Sequence, residues 1–265
     1  MTPSILSRLK KPLLDVLSVC FWILLWAFAA YRIGLEIILP TPLAVGKRLI
    51  QLCQSAVFWQ SIGGSIARIF LGFALGCVLG CVLAFLMHFI PFFAHLFAPP
   101  LSIIRATPVA SFIILLLVFL QDDRIPILIS FLMVLPLMTE NVRTGLANAP
   151  RALAEVADLY GVSRRFRFLY YDLPAALPLF ASGARNGFGL AWKAGVAAEV
   201  LCAAYVPLSV GAKIYESKIY LETADLFAWT AVLILCSFLL AAIPKGILHL
   251  KKRLHRRAFH GNHPL

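Results

Sequence analysis

The chain has 265 residues, 61% of them hydrophobic and 14% charged, with a net charge of +12 and a mean hydropathy of +0.89. A soluble domain carries about a quarter charged residues, so this composition argues against a water-soluble globular protein and for lipid as the main solvent. The cations flank apolar runs and do not line an aromatic-rich polar face, which argues against nucleic acid as the partner.

Read in chain order, the first apolar run, 13–32, follows Arg8, Lys10 and Lys11. It is long enough to cross a bilayer, and no small-residue cleavage site follows it, so a retained span is expected. The segment Thr41–Ser55 places Leu43, Gly46, Leu49, Ile50 and Cys53 on one helical face. That pattern predicts a short interfacial helix outside the membrane. Five further spans are expected at about 62–88, 99–120, 125–144, 177–203 and 226–248. The third and fourth are separated only by Gln121-Asp122-Asp123-Arg124, and Pro126 suits the first turn of the fourth. No internal repeat or low-complexity linker is visible, so the chain reads as one membrane domain over 1–265. The six cysteines form no Cys-x-x-Cys pair and read as small hydrophobes, with no metal site and no disulfide framework.

Gly64, Gly72, Gly76 and Gly80 recur every four or eight residues in the second span, with Arg68 completing the series. Gly183, Gly187, Ala191 and Gly195 repeat the device in the fifth. Small residues at this spacing let helices approach closely in lipid. The stripes read as tight intramolecular packing or as the lining of a moving path.

Between the fourth and fifth spans lies a polar island over about 145–176. Pro150 can open a helix, and Leu153, Val156, Leu159 and Tyr160 then form an apolar stripe beside Arg151, Glu155 and Asp158. Gly161 is placed to stop that helix with a positive φ. Ser163 can cap a second short helix, ended by Asp172, Leu173 and Pro174. Arg143, Arg151, Arg164, Arg165 and Arg167 fall on the same side of the membrane as the basic N-terminus and the basic tail over 249–265. The opposite side carries Arg32, Lys47, Arg48, Arg124, Lys213 and Lys218. The excess of cations puts the island and both termini in the cytoplasm.

Ionisable groups at membrane depth are costly and mark wet or functional places. Arg105, Arg185, Lys193 and Glu199 fall in or near spans. Arg185, Trp192 and Glu199 are spaced by heptads and share one helix face, with Lys193 one position round. These five are the candidate translocation-pathway residues. Three cations against one carboxylate favour an anionic solute. Snorkelling arginines and a packing role for Lys193 and Glu199 are the alternative reading.

At Glu155, Ala157, Gly161, Leu173 and Pro174 the island resembles the EAA loop of ABC-importer permeases, with Val156 in place of the middle alanine. Leu39-Pro40-Thr41-Pro42, Ser65-Ile66-Ala67-Arg68 with Gly72-Phe73, Arg105-Ala106-Thr107-Pro108, and Ala191-Trp192 with Ala198-Glu199 extend the likeness, most of all to the nitrate/sulfonate/taurine (NitT/TauT) permeases. The resemblance covers roughly 39–245. It implies an all-α, six-span fold of the type I importer (MetI-like) class in a bacterial inner membrane. It implies two permease copies, as a homodimer or heterodimer, two ABC ATPase subunits that carry ATP and Mg, and an extracytoplasmic solute-binding protein. Glu155, Val156, Ala157, Leu159, Gly161, Leu173 and Pro174 would then couple the permease to its ATPase. The chain itself offers no cofactor site: its only Gly-Lys pair is Gly46-Lys47, and the first glycine of a P-loop would stand at Thr41. It therefore reads as a non-enzymatic permease subunit for a small anion. A pyrimidine vitamin precursor or other small solute is the alternative within the class. An ion-gradient transporter, which wants paired carboxylates or broken helices at mid-membrane, and an intramembrane enzyme are the more distant ones.

Overall fold

The computed structural model describes residues 5–148, 155–157 and 159–240. The described residues are helical, with no strand among them. Among the described residues, four helices are long and apolar enough to cross a membrane: Leu14–Ile33 within α1 (Ile5–Ile33), α3 (Ala56–Phe89), α6 (Ile125–Ala147) and α10 (Thr223–Leu240). The long helix α8 (Leu173–Leu201) coincides with the expected fifth span and carries Arg185, Lys193 and Glu199. The expected sixth span, 226–248, is described as far as Leu240. The basic tail over 249–265 lies outside the described residues.

The expected third span, 99–120, is not one rod. It is α4 (Pro91–Ala106) and α5 (Val109–Phe119), bent by 105°. The cause is local. Pro108 has no N–H to continue the helix and forces the residue before it out of the helical region. Thr107 accordingly sits at φ −83°, ψ 131°, and its hydroxyl donates to the Ile103 carbonyl at 2.8 Å, ending α4. The turn into α6 agrees with the sequence: Arg124 N–H donates to Asp122 Oδ1 at 2.8 Å, and Pro126 occupies the first turn.

The middle of the molecule is a three-helix sandwich with α6 at its centre. The glycine stripe of α3 faces one side of α6. A Cβ added at Gly72, Gly76 or Gly80 would stand 2.7 Å from Ser130, Val134 or Met138 respectively. The stripe of α8 faces another side, with Gly183 against Asn141 and Met138. Where α3 and α8 meet beyond it, a Cβ at Gly195 would stand 2.6 Å from both Ile69 and Ser130. Of the two meanings open for these stripes, the structure shows close packing. Apolar residues fill the rest, with Ile69, Val134, Met138, Val142, Ala191 and Trp192 in one buried cluster. The short α5 covers one end of the sandwich, setting Ile113 among Ile125, Ile129, Ala194 and Ala198.

Helix α2 (Pro42–Cys53) has the predicted position, opened by Thr41, whose hydroxyl accepts from the Ala44 N–H at 3.2 Å. It is more than a connector. Leu49 and Leu52 pack against Phe58, Val210, Trp229 and Val232. Arg48 makes a two-pronged ion pair with Asp225 on α10, one arm at 2.9 Å. That carboxylate raises the Arg48 pKa above its ordinary value, against a smaller opposing effect of partial burial. On helix α1, Trp26 stacks on Phe227 at 5.7 Å and donates to the Pro40 carbonyl at 3.1 Å.

The sandwich sets a paired expectation. Gly72→Ala pushes into Ser130 and should cost about 1–3 kcal/mol by overpacking. Gly63→Ala meets nothing within 4 Å and should be neutral or stabilising by up to ~1 kcal/mol through helix propensity. Thermal unfolding of the two variants in detergent micelles checks the opposite signs.

Candidate coupling and translocation sites

The polar island shows the encoded stop. Glu155, Val156, Ala157 and Leu159 are helical, and Gly161 has φ +62°. The Tyr160 N–H bonds the Val156 carbonyl at 3.0 Å, and the Val162 N–H reaches back to the Ala157 carbonyl at 2.9 Å. That is the wrap-around bond of a glycine-terminated helix. Val156, Leu159 and Tyr160 are all exposed, Leu159 by 84%. Pro150, Arg151, Leu153 and Asp158 of the predicted helix lie outside the described residues.

The second half departs from the expectation. Asp172, Leu173 and Pro174 do not end the short helix α7 (Arg164–Arg167). The chain runs on through a π turn, Phe168–Asp172, straight into α8. Proline explains the wider turn: Pro174 lacks an N–H, and its ring would crowd the carbonyl four residues back. The Leu173 N–H bonds Phe168, five residues back, which opens the ladder. Phe168 wedges against Phe85 at 5.2 Å and Phe89 at 6.2 Å, fixing the turn to the end of α3. Beside it Asp172 is buried. Burial raises its carboxyl pKa above the ordinary value, while the charges of Arg167 and His88 pull the other way.

The five pathway candidates separate into two groups. Trp192 and Glu199 are 1% and 0% exposed; they are held inside the bundle. Glu199 Oε2 accepts from Ser65 Oγ at 2.6 Å and from the Gly211 N–H at 3.3 Å, and Oε1 lies 3.2 Å from Arg68 Nη2. Ser65 Oγ accepts in turn from the Val210 N–H at 2.9 Å, and Arg68 also donates to the Leu208 carbonyl at 2.9 Å. The carboxylate therefore joins α3, α8 and the start of α9 (Val210–Ile219). A buried ion survives only when paired and hydrogen-bonded in this way. The Trp192 indole N–H has no hydrogen-bond partner among the described residues.

Arg105, Arg185 and Lys193 are exposed. Arg185 shares the heptad face of Trp192 and Glu199, as its spacing predicts, but lies beyond the covered part. Arg105 stands at the α4–α5 corner, 3.8 Å from Glu140 on α6. Lys193 lies on an uncovered face of α8 with Asn186 one heptad before it. Glu140, Asn141 and the Ser65–Arg68 pair were not singled out from sequence as site residues. A carboxylate inside the apolar run 125–144 was the available signal for Glu140. For Ser65 and Arg68 it was their shared helix face.

These features match known proteins. A family model for the binding-protein-dependent transport system inner membrane component matches residues 72–253. The chain belongs to that family. It is an ABC-type importer permease, a membrane subunit and not an enzyme. The taurine transport system permease protein of Escherichia coli (strain K12) is 24% identical over 235 residues, 86% of this chain and 83% of that one. A putative aliphatic sulfonates transport permease of the same organism is 35% identical over 63% of this chain and 64% of its own length. The riboflavin transport system permease of Chloroflexus aurantiacus is 31% identical over 80% of this chain and 79% of its own length. The crystal structure of an amino acid ABC transporter with histidines shares the fold at a TM-score of 0.60, with 18% identity, covering 77% of this permease and 97% of that chain. The taurine and sulfonate relatives set this permease with the nitrate/sulfonate/taurine group.

Two measurements follow. Glu199→Ala leaves the Arg68 cation unpaired and should cost roughly 3–5 kcal/mol. Adding Arg68→Ala should recover part of that loss, and a double-mutant cycle by thermal unfolding reads the coupling. For Asp172 the folded state favours the protonated form, so its unfavourable contribution is largest at neutral pH and fades as pH falls through its raised pKa. Asp172→Asn should therefore raise Tm at pH 7.5, with a gain that shrinks towards the ordinary aspartate range.

Proposed function

We propose that this permease is the pathway subunit of an ATP-driven importer in a bacterial cytoplasmic membrane, and that its EAA-like island is the coupling element for a separate ABC ATPase. The observation that carries this is the exposed apolar knob of Val156, Leu159 and Tyr160, held by the Gly161 stop and joined through a π turn to α8. A soluble segment gains nothing by presenting such a stripe to water, whereas a groove on a partner would bury it. Glu155, Val156, Ala157, Leu159 and Gly161 would form the contact, with Leu173 and Pro174 at its junction with α8.

In this reading two copies, as a homodimer, line a path between them, with six spans each and both termini in the cytoplasm. ATP and Mg are bound by the paired ATPases, whose closure moves the knobs and switches the path from inward- to outward-facing. A solute-binding protein then delivers the solute outside. A small solute with an anionic head, of the sulfonate, taurine and nitrate class, fits a path that carries the exposed Lys193, and Arg105 beside Glu140. The riboflavin relative supports a second reading, the same machine with an uncharged or larger solute.

The test is ATP hydrolysis by the permease co-purified with its ATPase in lipid nanodiscs, titrated with loaded binding protein. Leu159→Glu should abolish stimulation. Gly161→Val strains a φ of +62° by about 1–2 kcal/mol with no contact to disturb, since nothing stands within 4 Å, and should weaken coupling while the bundle still folds. Stimulation unchanged in both variants would remove the knob from the mechanism.

A further inference from the structure

The corner between α4 and α5 forms an open cavity of about 500 Å³ against α6 and α8. That volume lies within the range of small-molecule sites, about 300–1,000 Å³. Its walls are mainly apolar, with Met133, Leu137 and Leu190 among them, and its charged and amide groups are Arg105, Glu140 and Asn141. Arg105 Nη1 and Glu140 Oε2 stand 3.8 Å apart, with side chains 48% and 52% exposed. At that distance they make no hydrogen bond to each other. A half-exposed pair of this kind contributes only about 0–1 kcal/mol to folding. Each therefore keeps its bonding capacity: a planar fork of N–H donors on one side, a carboxylate on the other. Asn141 Nδ2 donates to the Leu137 carbonyl at 2.8 Å, which fixes its amide on the same wall.

We infer that this cavity is a solute subsite for a small zwitterion, with the anionic head on the Arg105 guanidinium and the ammonium on the Glu140 carboxylate. The short apolar body between the two heads lies on Leu137 and Leu190. A plain anion would gain Arg105 but face the Glu140 charge, and a plain amine would meet the converse. The opposed pair therefore discriminates against both. The corner that builds the cavity exists because Pro108 breaks the helix, so the bend has a use beyond topology. This inference rests on the importer reading, since the cavity lies in the permease that would form the path.

The experiment uses the permease–ATPase complex in nanodiscs without binding protein. Leu190→Cys is introduced and its maleimide labelling is followed at that residue by mass spectrometry. The probes are 2-aminoethanesulfonate, ethanesulfonate and 2-aminoethanol. Expected is severalfold slower labelling with the zwitterion and no protection by either singly charged probe at the same concentration. Glu140→Gln should let ethanesulfonate protect as well as the zwitterion, and Arg105→Gln should abolish protection by both. Equal protection by all three probes, no protection by any, or variants that behave as the parent would overturn the subsite. Stimulation of ATP hydrolysis by loaded binding protein, read on the same complex, separates the two failures. If stimulation persists without protection, the subsite alone falls; if both are absent, the importer reading falls and takes the subsite with it.

Discussion

Everything else in this permease hangs on the close approach of α3 and α8 to the two sides of α6. In lipid, apolar side chains gain little by leaving the solvent, so helices associate through contact and hydrogen bonds. The glycines supply the contact by removing the side chains that would hold the backbones apart. The carbonyl of Ile127 and the Cβ atoms of Ser130, Val134 and Met138 fill that space from α6. Because α6 is gripped from both sides, α3 and α8 are fixed relative to each other. Only then can Ser65 and Arg68 on one meet Glu199 on the other.

That geometry sorts the charges. Polar groups on the faces that meet across the sandwich must satisfy one another, and the Ser65–Arg68–Glu199 cluster does so with the backbone of Leu208, Val210 and Gly211. Charges on faces that the described helices leave uncovered have no such obligation, and Arg105, Glu140 and Lys193 lie there. Heptad spacing alone put Arg185, Trp192 and Glu199 together correctly, but one face of a 29-residue helix passes from covered to uncovered along its length.

The helices, the reversal before α6, the glycine stripes and the Gly161 stop were legible because each is a local rule acting over a few residues. The π turn was less so. By local rules Pro174 terminates a helix, whereas the tertiary wedge of Phe168 against Phe85 and Phe89 supports a wider turn that lets the helix continue. The 105° corner had its cause in view at Thr107-Pro108, yet the hydropathy of 99–120 outweighed it, since a window average ignores a single missing N–H. The side-chain partners of Glu199 were out of reach in principle. They stand 131 and 134 positions away, and no spacing rule connects helices whose pairing is decided by packing.

Helix α8 is the element in which these threads combine. At one end it grows out of the π turn that follows the Gly161 stop. Near the other, Glu199 holds α3 and the backbone of α9. With a rise of about 1.5 Å per residue it is roughly 44 Å long, and it lies against α6 without a break. If the knob is the coupling element, a displacement there has a stiff route to the loop held by Glu199 and Arg68. The residue that carries that route across the bundle is then Gly195, where α8 comes closest to both Ile69 and Ser130. A rod transmits a push only where it is gripped. The small residues of the fifth span serve close packing, and in that reading the contact at Gly195 would pass the push on to α3 and α6.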